Sequence, residues 1–377
     1  MDTDTVIEGT MIEEIDVYSY SLTYAHGSYV MSSNRRVDTL RSIVVSVRTR
    51  SEVTGWAEVC PLGSNYLPGY PGGVLAALDE LAPALIGVDA CNLSLVGDTM
   101  EASMRGHEYA KSVMDVACWD AFGRTVGLPA ASLLGGVLNE SFPLYVAVPL
   151  GSPDNMVCFV EEAMKSGIHR FQLKVGSSPM TDVERVTAVV NATGDEDVIV
   201  ADANGGWRLQ DAIVAARSME QLPRVRLEQP CQTIEECIAL RSLTSIPIVL
   251  DEVITDVGAL LRCYNAGAMD AINLKLSRVG GLSRARLLRD LAEVLGLRVT
   301  IEDTWGGDLT TAAVSQLAAS TSRGALYSAS FMNDWTLEHV AGYEPRSTNG
   351  RGVVSLQPGL GVEVDLKAIG PIIRRYN

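Results

Sequence analysis

The sequence predicts an eight-stranded parallel α/β barrel preceded by an α+β domain, and three observations predict it. First, six short apolar runs each end in an ionisable residue. Phe171–Leu173 ends on Lys174, Val198–Ala201 on Asp202, Val225–Leu227 on Glu228, Ile248–Leu250 on Asp251, Ala271–Leu274 on Lys275, and Val299–Ile301 on Glu302 and Asp303. Second, helix-length segments rich in Ala, Leu, Glu and Arg separate these runs, which is the spacing of parallel βα units. Third, the first third of the chain runs through strands and then helices with no such repeat, the order of a separate α+β unit. In a parallel barrel the active site lies at the carboxyl ends of the strands, and that is where these charges fall.

Taken in order, residues 1 to about 10 read as a loose tail. Ile12–Val17 alternates weakly, Arg41–Arg50 is a strong strand and Gly55–Val59 a third. Tyr20–Asn34, rich in Ser, Tyr and Gly, and Cys60–Gly73, rich in Pro and Gly, read as loops. Helical patterns follow at Val74–Leu85, Leu93–Met104 and Tyr109–Val126. Gly135-Gly136 is the expected boundary, giving an N-terminal α+β domain over 1–135. The barrel then occupies 136–335. Its strand one is Leu144–Val148, strands two to seven are the six runs above, and strand eight is Ala325–Ser328. Crossover helices are expected near 153–167, 181–193, 208–221, 233–243, 256–266, 283–296 and 308–320. The remainder, 336–377, is loop-rich and is expected to return to the first domain.

Composition narrows the function. The 377 residues carry a formal net charge of −16 and are 47% hydrophobic. Such a chain builds a sizeable core and repels nucleic acid and anionic membrane. No apolar run approaches the roughly 20 residues of a transmembrane helix, and the acidic N-terminus has no apolar signal core, so a cytoplasmic protein is expected. The seven cysteines are scattered, with no paired CxxC pattern, and read as free thiols in a reducing compartment.

Asp202, Glu228 and Asp251 end three successive strands, 26 and 23 residues apart, so their side chains converge on one rim. At roughly 4 Å and an effective dielectric of about 20, each close carboxylate pair costs about 4 kcal/mol. A divalent cation removes that cost, and an all-oxygen set favours Mg²⁺ over Zn²⁺. Singly, each acid could instead cap the next helix or pair with an arginine; three in a row are harder to explain so. Lys174 and Lys275 end strands two and six, opposite one another in an eight-strand ring. A carboxylate substrate held between them would present one amine to each face. A lysine acting as base needs its pKa brought from about 10.4 to about 7–8, a change worth roughly 4 kcal/mol, towards which a nearby dication and burial both act. Gln172 and Asn273, each two residues before a lysine, share its inward face.

At these residues the chain resembles the enolase superfamily, in its mandelate racemase/muconate lactonizing enzyme group. The likeness runs through Gly106-His107, Tyr109-Ala110-Lys111, Ala117–Asp120, Leu133–Gly136, Lys174-Val175-Gly176, Asp202-Ala203-Asn204, Leu227–Pro230, Asp251-Glu252, and Lys275 before Gly280-Gly281. It implies a modified TIM barrel of the enolase C-terminal type under an N-terminal capping domain. It also implies Mg²⁺ on Asp202, Glu228 and Asp251, with Lys174 and Lys275 as acid/base catalysts that take a proton from the carbon next to a carboxylate. The usual Lys-x-Lys of strand two has Gln172 in its first place here. Where mandelate racemase has a strand-seven histidine, Glu302 and Asp303 stand, which disfavours a histidine-type racemase.

Gly55–Tyr66 and Glu302–Asp308 narrow the resemblance to the members acting on proline derivatives. The implied reaction is dehydration of cis-3-hydroxy-L-proline. The alternatives are 2-epimerisation of a proline or hydroxyproline betaine, another amino acid racemisation or epimerisation, or a non-catalytic ligand-binding relative. The resemblance places Tyr66 and Trp305 beside the substrate nitrogen as a cation–π pair, with Gln172, Asn204 and Asp303 as further substrate contacts. The expected partner is a small carboxylate, an amino acid derivative, and the chain is expected to form a homo-oligomer.

Overall fold

The computed structural model describes residues 8–377, so most of the expected N-terminal tail lies outside it. Strands β1 (Ile12–Thr23), β4 (Thr39–Thr49) and β5 (Thr54–Val59) form an antiparallel sheet. Between β1 and β4 the short strands β2 (Tyr29–Met31) and β3 (Arg35–Val37) make a separate hairpin. The loop expected over Tyr20–Asn34 is therefore shorter than its composition suggests. Tyr, Ser and Thr fit a pleated, half-buried surface as well as a turn, and Tyr18, Tyr20 and Leu22 continue the inward face of β1 while Ser21 points out.

Helices α1 (Pro71–Leu85) and α3 (Glu108–Val126) cover this sheet, and α2 (Leu93–Ser103) packs against both of them. Ser42–Val47 of β4 is buried throughout, which requires cover on both faces. The helix α3 lies directly on β5: a Cβ at Gly55 would sit 2.1 Å from the Ala117 carbonyl. Only glycine permits that approach.

After β6 (Ser141–Pro143) come eight parallel strands: β7 (Val146–Val148), β8 (Arg170–Lys174), β9 (Val198–Asp202), β10 (Val225–Glu228), β11 (Ile248–Leu250), β12 (Ala271–Lys275), β13 (Arg298–Glu302) and β14 (Leu326–Ala329). They pair in sequence order. A parallel bridge between Leu144 and Ala329, with Tyr145 N donating to Ala329 O at 3.1 Å, joins the last strand to the first. Seven helical connections, from Pro153–Lys165 to Asp308–Ala319, link the eight strands. The predicted α/β barrel is thus the observed one, with boundaries shifted by a few residues. Register aligns the strand ends: Lys174 pairs with Asp202, Asp202 with Glu228, and Lys275 with Glu302.

The last segment runs back along the molecule. Strands β15 (Ser347–Thr348) and β16 (Arg351–Val353) join β6, and β17 (Arg374–Tyr376) adds an edge to β1. Leu360 N donates to Asp120 of α3 at 2.6 Å.

A buried carboxylate also ties the N-terminal sheet to the barrel. Glu58, at 5% exposure on β5, accepts from Tyr20 Oη (2.5 Å), Ser42 Oγ (2.7 Å), Gly307 N (3.1 Å) and Thr310 N (3.1 Å). The last two donors are orphan amides at the N-terminus of helix Asp308–Ala319, where a negative charge is favoured. Cys158 is exposed, Cys91 partly so, and the other five thiols are buried; all seven are free. Among the described residues no helix is long and apolar enough to cross a membrane.

Candidate active site

The barrel's carboxyl end gathers two of the three acids the sequence singled out for the metal, Glu228 and Asp251, and adds Glu302. Carboxylate oxygens of Glu228, Asp251 and Glu302 all lie within 4.8 Å of one another, and all three residues are buried. Glu302 reaches this set because its pairing with Lys275 turns it inward at the end of β13. Sequence reasoning placed Glu302 at the rim but gave it no metal role. The signal was present in the alternation of Thr300 and Glu302 along one face of the strand.

Asp202 stands beside this set rather than within it. Its Oδ2 accepts from Lys174 Nζ (2.5 Å) and Asn204 Nδ2 (2.9 Å), and its Oδ1 from Asn204 N (2.8 Å). Glu228 Oε1 accepts from Gln172 Nε2 (2.8 Å) and Asn273 Nδ2 (2.7 Å). Gln172 and Asn273 thus share the lysines' face, but their amides are spent on orienting an acid. Asn204 serves Asp202 in the same way and also donates to Glu252 Oε1 at 3.0 Å.

Burial, with Asp202, Asp251 and Glu302 nearby, holds the Glu228 carboxyl well above its ordinary pKa. Burial and Asp251 likewise raise Glu302 to about 7, against the pull of Lys275 and the Tyr145 hydroxyl bond to its Oε2. Among the described residues Glu302 Oε1 has no hydrogen-bond partner, nor has Glu252 Oε2. Buried, all-oxygen, mutually repelling and partly unsatisfied, this donor set fits a hard divalent cation.

The two amines reach this centre from opposite sides of the barrel. Lys275 Nζ donates to Asp251 Oδ2 (2.6 Å) and Tyr66 Oη (2.9 Å) and lies 3.8 Å from Glu302 Oε1. Arg278 Nη1 takes the other Asp251 oxygen at 2.5 Å. The lowered lysine pKa values expected from the sequence are not what the chain's own groups give. Burial pushes the Lys174 ammonium down, but Asp202, Tyr29 and Glu228 outweigh it. Burial opposes the Lys275 charge too, and Asp251, Tyr66 and Glu302 outweigh that. Both lysines are held charged by the acids they contact.

Tyr66 and Trp305 line one cavity with Tyr29, Gln172, Lys174, Lys275, Glu302 and Asp303. The Tyr66 ring lies 5.2 Å from the Arg35 guanidinium and 5.4 Å from Lys275 Nζ, so the chain's own cations occupy its π-face. Trp305 sits edge-on to Tyr29 (5.1 Å) and Tyr24 (5.9 Å), and its buried indole N–H has no partner. Asp303 accepts from Ser277 N (3.2 Å) and Thr304 N (2.7 Å), anchoring the turn that follows β12.

The cavity measures about 20 Å³, room for one water. A larger one of about 770 Å³ opens on the other side of Tyr66, bounded by Arg35, Asn204 and Glu252. The space beside the amines is thus too small for an amino acid in this structure.

Comparisons with known proteins cover nearly the whole chain. Residues 17–135 match the family described as mandelate racemase / muconate lactonizing enzyme, N-terminal domain, and residues 155–368 match enolase C-terminal domain-like. The chain is 41% identical over 366 residues to the cis-3-hydroxy-L-proline dehydratase of Roseibium aggregatum, covering 97% of this chain and 100% of that protein. It is 29% identical over 265 residues to the N-succinyl-L-Arg/Lys racemase of Bacillus cereus, covering 69% and 71%. Among solved structures, a mandelate racemase/muconate lactonizing enzyme from Roseovarius nubinhibens ISM superposes with a TM-score of 0.93 at 32% identity, covering 97% of this chain and 98% of that one. A member of the enolase superfamily from the same organism, complexed with magnesium, gives 0.92 at 32%, covering 97% and 99%.

Proposed function

Because the chain belongs to the mandelate racemase/muconate lactonizing enzyme family of the enolase superfamily, we propose that it is a magnesium-dependent enzyme that removes the proton α to the carboxylate of a proline-type amino acid. The best-supported reaction is dehydration of cis-3-hydroxy-L-proline. The chemistry rests on one observation: two buried amines, on strands two and six, one bonded to Asp251 of the acidic set and the other to Asp202 beside it. The substrate rests on the 41% identity across nearly the whole of both chains.

Asp202, Glu228 and Asp251 are the residues we assign to Mg²⁺, with Glu302 at the same centre. A dication held there would neutralise the substrate carboxylate and the charge that develops as its α-carbon loses a proton, and would take up the acid charge that holds both lysines protonated. The chain's own part is then acid/base work. One lysine, neutral, takes the Cα proton from one face. The other, still protonated, faces the opposite side. In dehydration it gives its proton to the departing C3 hydroxyl, water leaves, and a Cα–Cβ double bond forms. In epimerisation it returns a proton to Cα with inverted configuration.

Gln172 and Asn273 fix Glu228, and Asn204 fixes Asp202, so these amides act on the substrate through the acids. Tyr66 and Trp305 wall the space beside the amines and shield it from bulk water. Epimerisation of a dipeptide is less favoured, because β14 and Ala325 before it offer no acid for a free amino terminus. Localisation in the cytoplasm and a homo-oligomeric state complete the reading.

The test is incubation with Mg²⁺ in D₂O, followed by proton NMR. The expected result is conversion of cis-3-hydroxy-L-proline to a product that has lost its C3 hydroxyl, with Cα–H exchange on L-proline. Inversion of a hydroxyproline betaine without loss of water would favour the epimerase. Exchange with dipeptides and with no proline derivative would reject the substrate class.

A further inference from the structure

At the opposite end of the barrel the inward rows finish in a different chemistry. Strand β8 carries Arg170, Gln172 and Lys174 on one face, β10 carries Arg226 and Glu228, and β13 carries Arg298, Thr300 and Glu302. The carboxyl ends of these rows hold the acidic centre. Their amino ends bring three arginines together around Tyr327 of β14. The Arg170 guanidinium lies 5.1 Å from the Tyr327 ring centre and that of Arg226 5.0 Å. Arg298 and Arg351 stand close enough for their charge to act on Arg170.

Among the described residues none of these four arginines pairs with a carboxylate. Arg351 donates only to Ser141, through its hydroxyl and its carbonyl. This is unexpected in a chain with 46 acids and 30 basic residues, where counter-charges are plentiful. Among the described residues the Tyr327 hydroxyl, in a residue 8% exposed, has no well-aligned hydrogen bond and only a loose contact with the Arg226 guanidinium. The cavity above it, bounded by Arg170, Tyr327, Thr300 and Glu228, measures about 20 Å³ and holds nothing larger than a water. Below it, Arg170 and Arg226 are half-buried and Arg298 is exposed.

We propose that the amino-terminal mouth of the barrel is an anion site, in which Arg170, Arg226 and Arg298 hold a small oxyanion of the phosphate type beneath Tyr327. Guanidinium forks match such an ion's oxygens bidentately, and its charge relieves their mutual repulsion. Arg170 is four residues from Lys174, about 13 Å along the strand, so this site is separate from the acidic centre.

The test is titration of the magnesium-loaded chain with inorganic phosphate, followed by ³¹P NMR and calorimetry, first without and then with saturating L-proline. The expected result is one phosphate per chain, not displaced by proline, and lost in an Arg226→Gln/Arg298→Gln double variant. Arg298→Gln alone, at an exposed position that does not threaten folding, should weaken binding at least fivefold. An Arg208→Gln control should leave it unchanged. Absence of binding to the wild type, displacement by proline, or undiminished binding to Arg298→Gln would each overturn the proposal.

Discussion

Replacing Glu302 by Gln should make the protein more stable in the absence of divalent cation, and the gain should depend on pH. Glutamine keeps an oxygen to accept the Tyr145 hydroxyl and removes one negative charge from a set whose oxygens lie within 4.8 Å of each other. At that separation and an effective dielectric of about 20, one charged pair costs about 3.5 kcal/mol. The carboxyl gives a second measure. Its pKa rises from 4.5 to about 7 through burial and Asp251, and that rise corresponds to about 3 kcal/mol.

The sign follows from proton counting. Between pH 4.5 and 7 the folded chain holds a proton at Glu302 that the unfolded chain has lost, so wild-type stability falls as pH rises through that window. Glu302→Gln lacks this loss. In EDTA, urea unfolding should find the variant up to about 3 kcal/mol more stable at pH 8 and no more stable at pH 4.5. Mg²⁺ should then stabilise the wild type more than the variant at pH 8, because less repulsion is left to relieve. A variant less stable than wild type at pH 8 in EDTA, or a difference that does not change with pH, would refute the reasoning.

Three further substitutions probe the same centre and its support. Lys174→Met and Lys275→Met should each lower turnover by roughly 10²–10⁴-fold, but they should differ in stability. Asp251 keeps Arg278 when Lys275 is lost, whereas Asp202 keeps only the neutral Asn204. Lys174→Met should therefore show the lower thermal midpoint in EDTA, and equal midpoints would contradict the contact geometry. Gly307→Ala would place a Cβ 2.4 Å from the Tyr20 hydroxyl and 3.3 Å from Glu58 Oε1. A loss of about 1–3 kcal/mol on urea unfolding is expected, and a neutral result would show that this interface yields easily.

The barrel was legible because its signal is repeated. Six apolar runs ending in charge, at one βα spacing, survive an error in any single boundary. The lysines and acids were legible for the same reason, since strand ends in a closed barrel face a common centre. What the sequence hid was side-chain partnership. Gln172 and Asn204 carry the same amides whether they meet a substrate or an acid, and only the coordinates show them bonded to Glu228 and Asp202. Glu302 and Asp303 are neighbours in sequence with opposite fates: one joins the acidic set, while the other anchors Ser277 and Thr304. The β2–β3 hairpin was hidden because three-residue strands carry too few residues to show a period. Direct effects on lysine charge also escaped the sequence. Burial was foreseeable there, but the 2.5–2.6 Å contacts that outweigh it were not.

Glu58 restricts how such proteins can be recombined. Its four donors come from two sides of a seam, Tyr20 and Ser42 on one, Gly307 and Thr310 on the other. A chimera that joins this N-terminal half to a relative's barrel inherits the carboxylate but not necessarily the amides that receive it. Where the incoming loop lacks Gly307 or its geometry, the buried carboxylate keeps Tyr20 and Ser42 but loses both amide donors, next to the turn that carries Trp305. Grafts that exchange residues 20–58 and 303–310 together should fold and retain selectivity, whereas grafts that split them should fail in both.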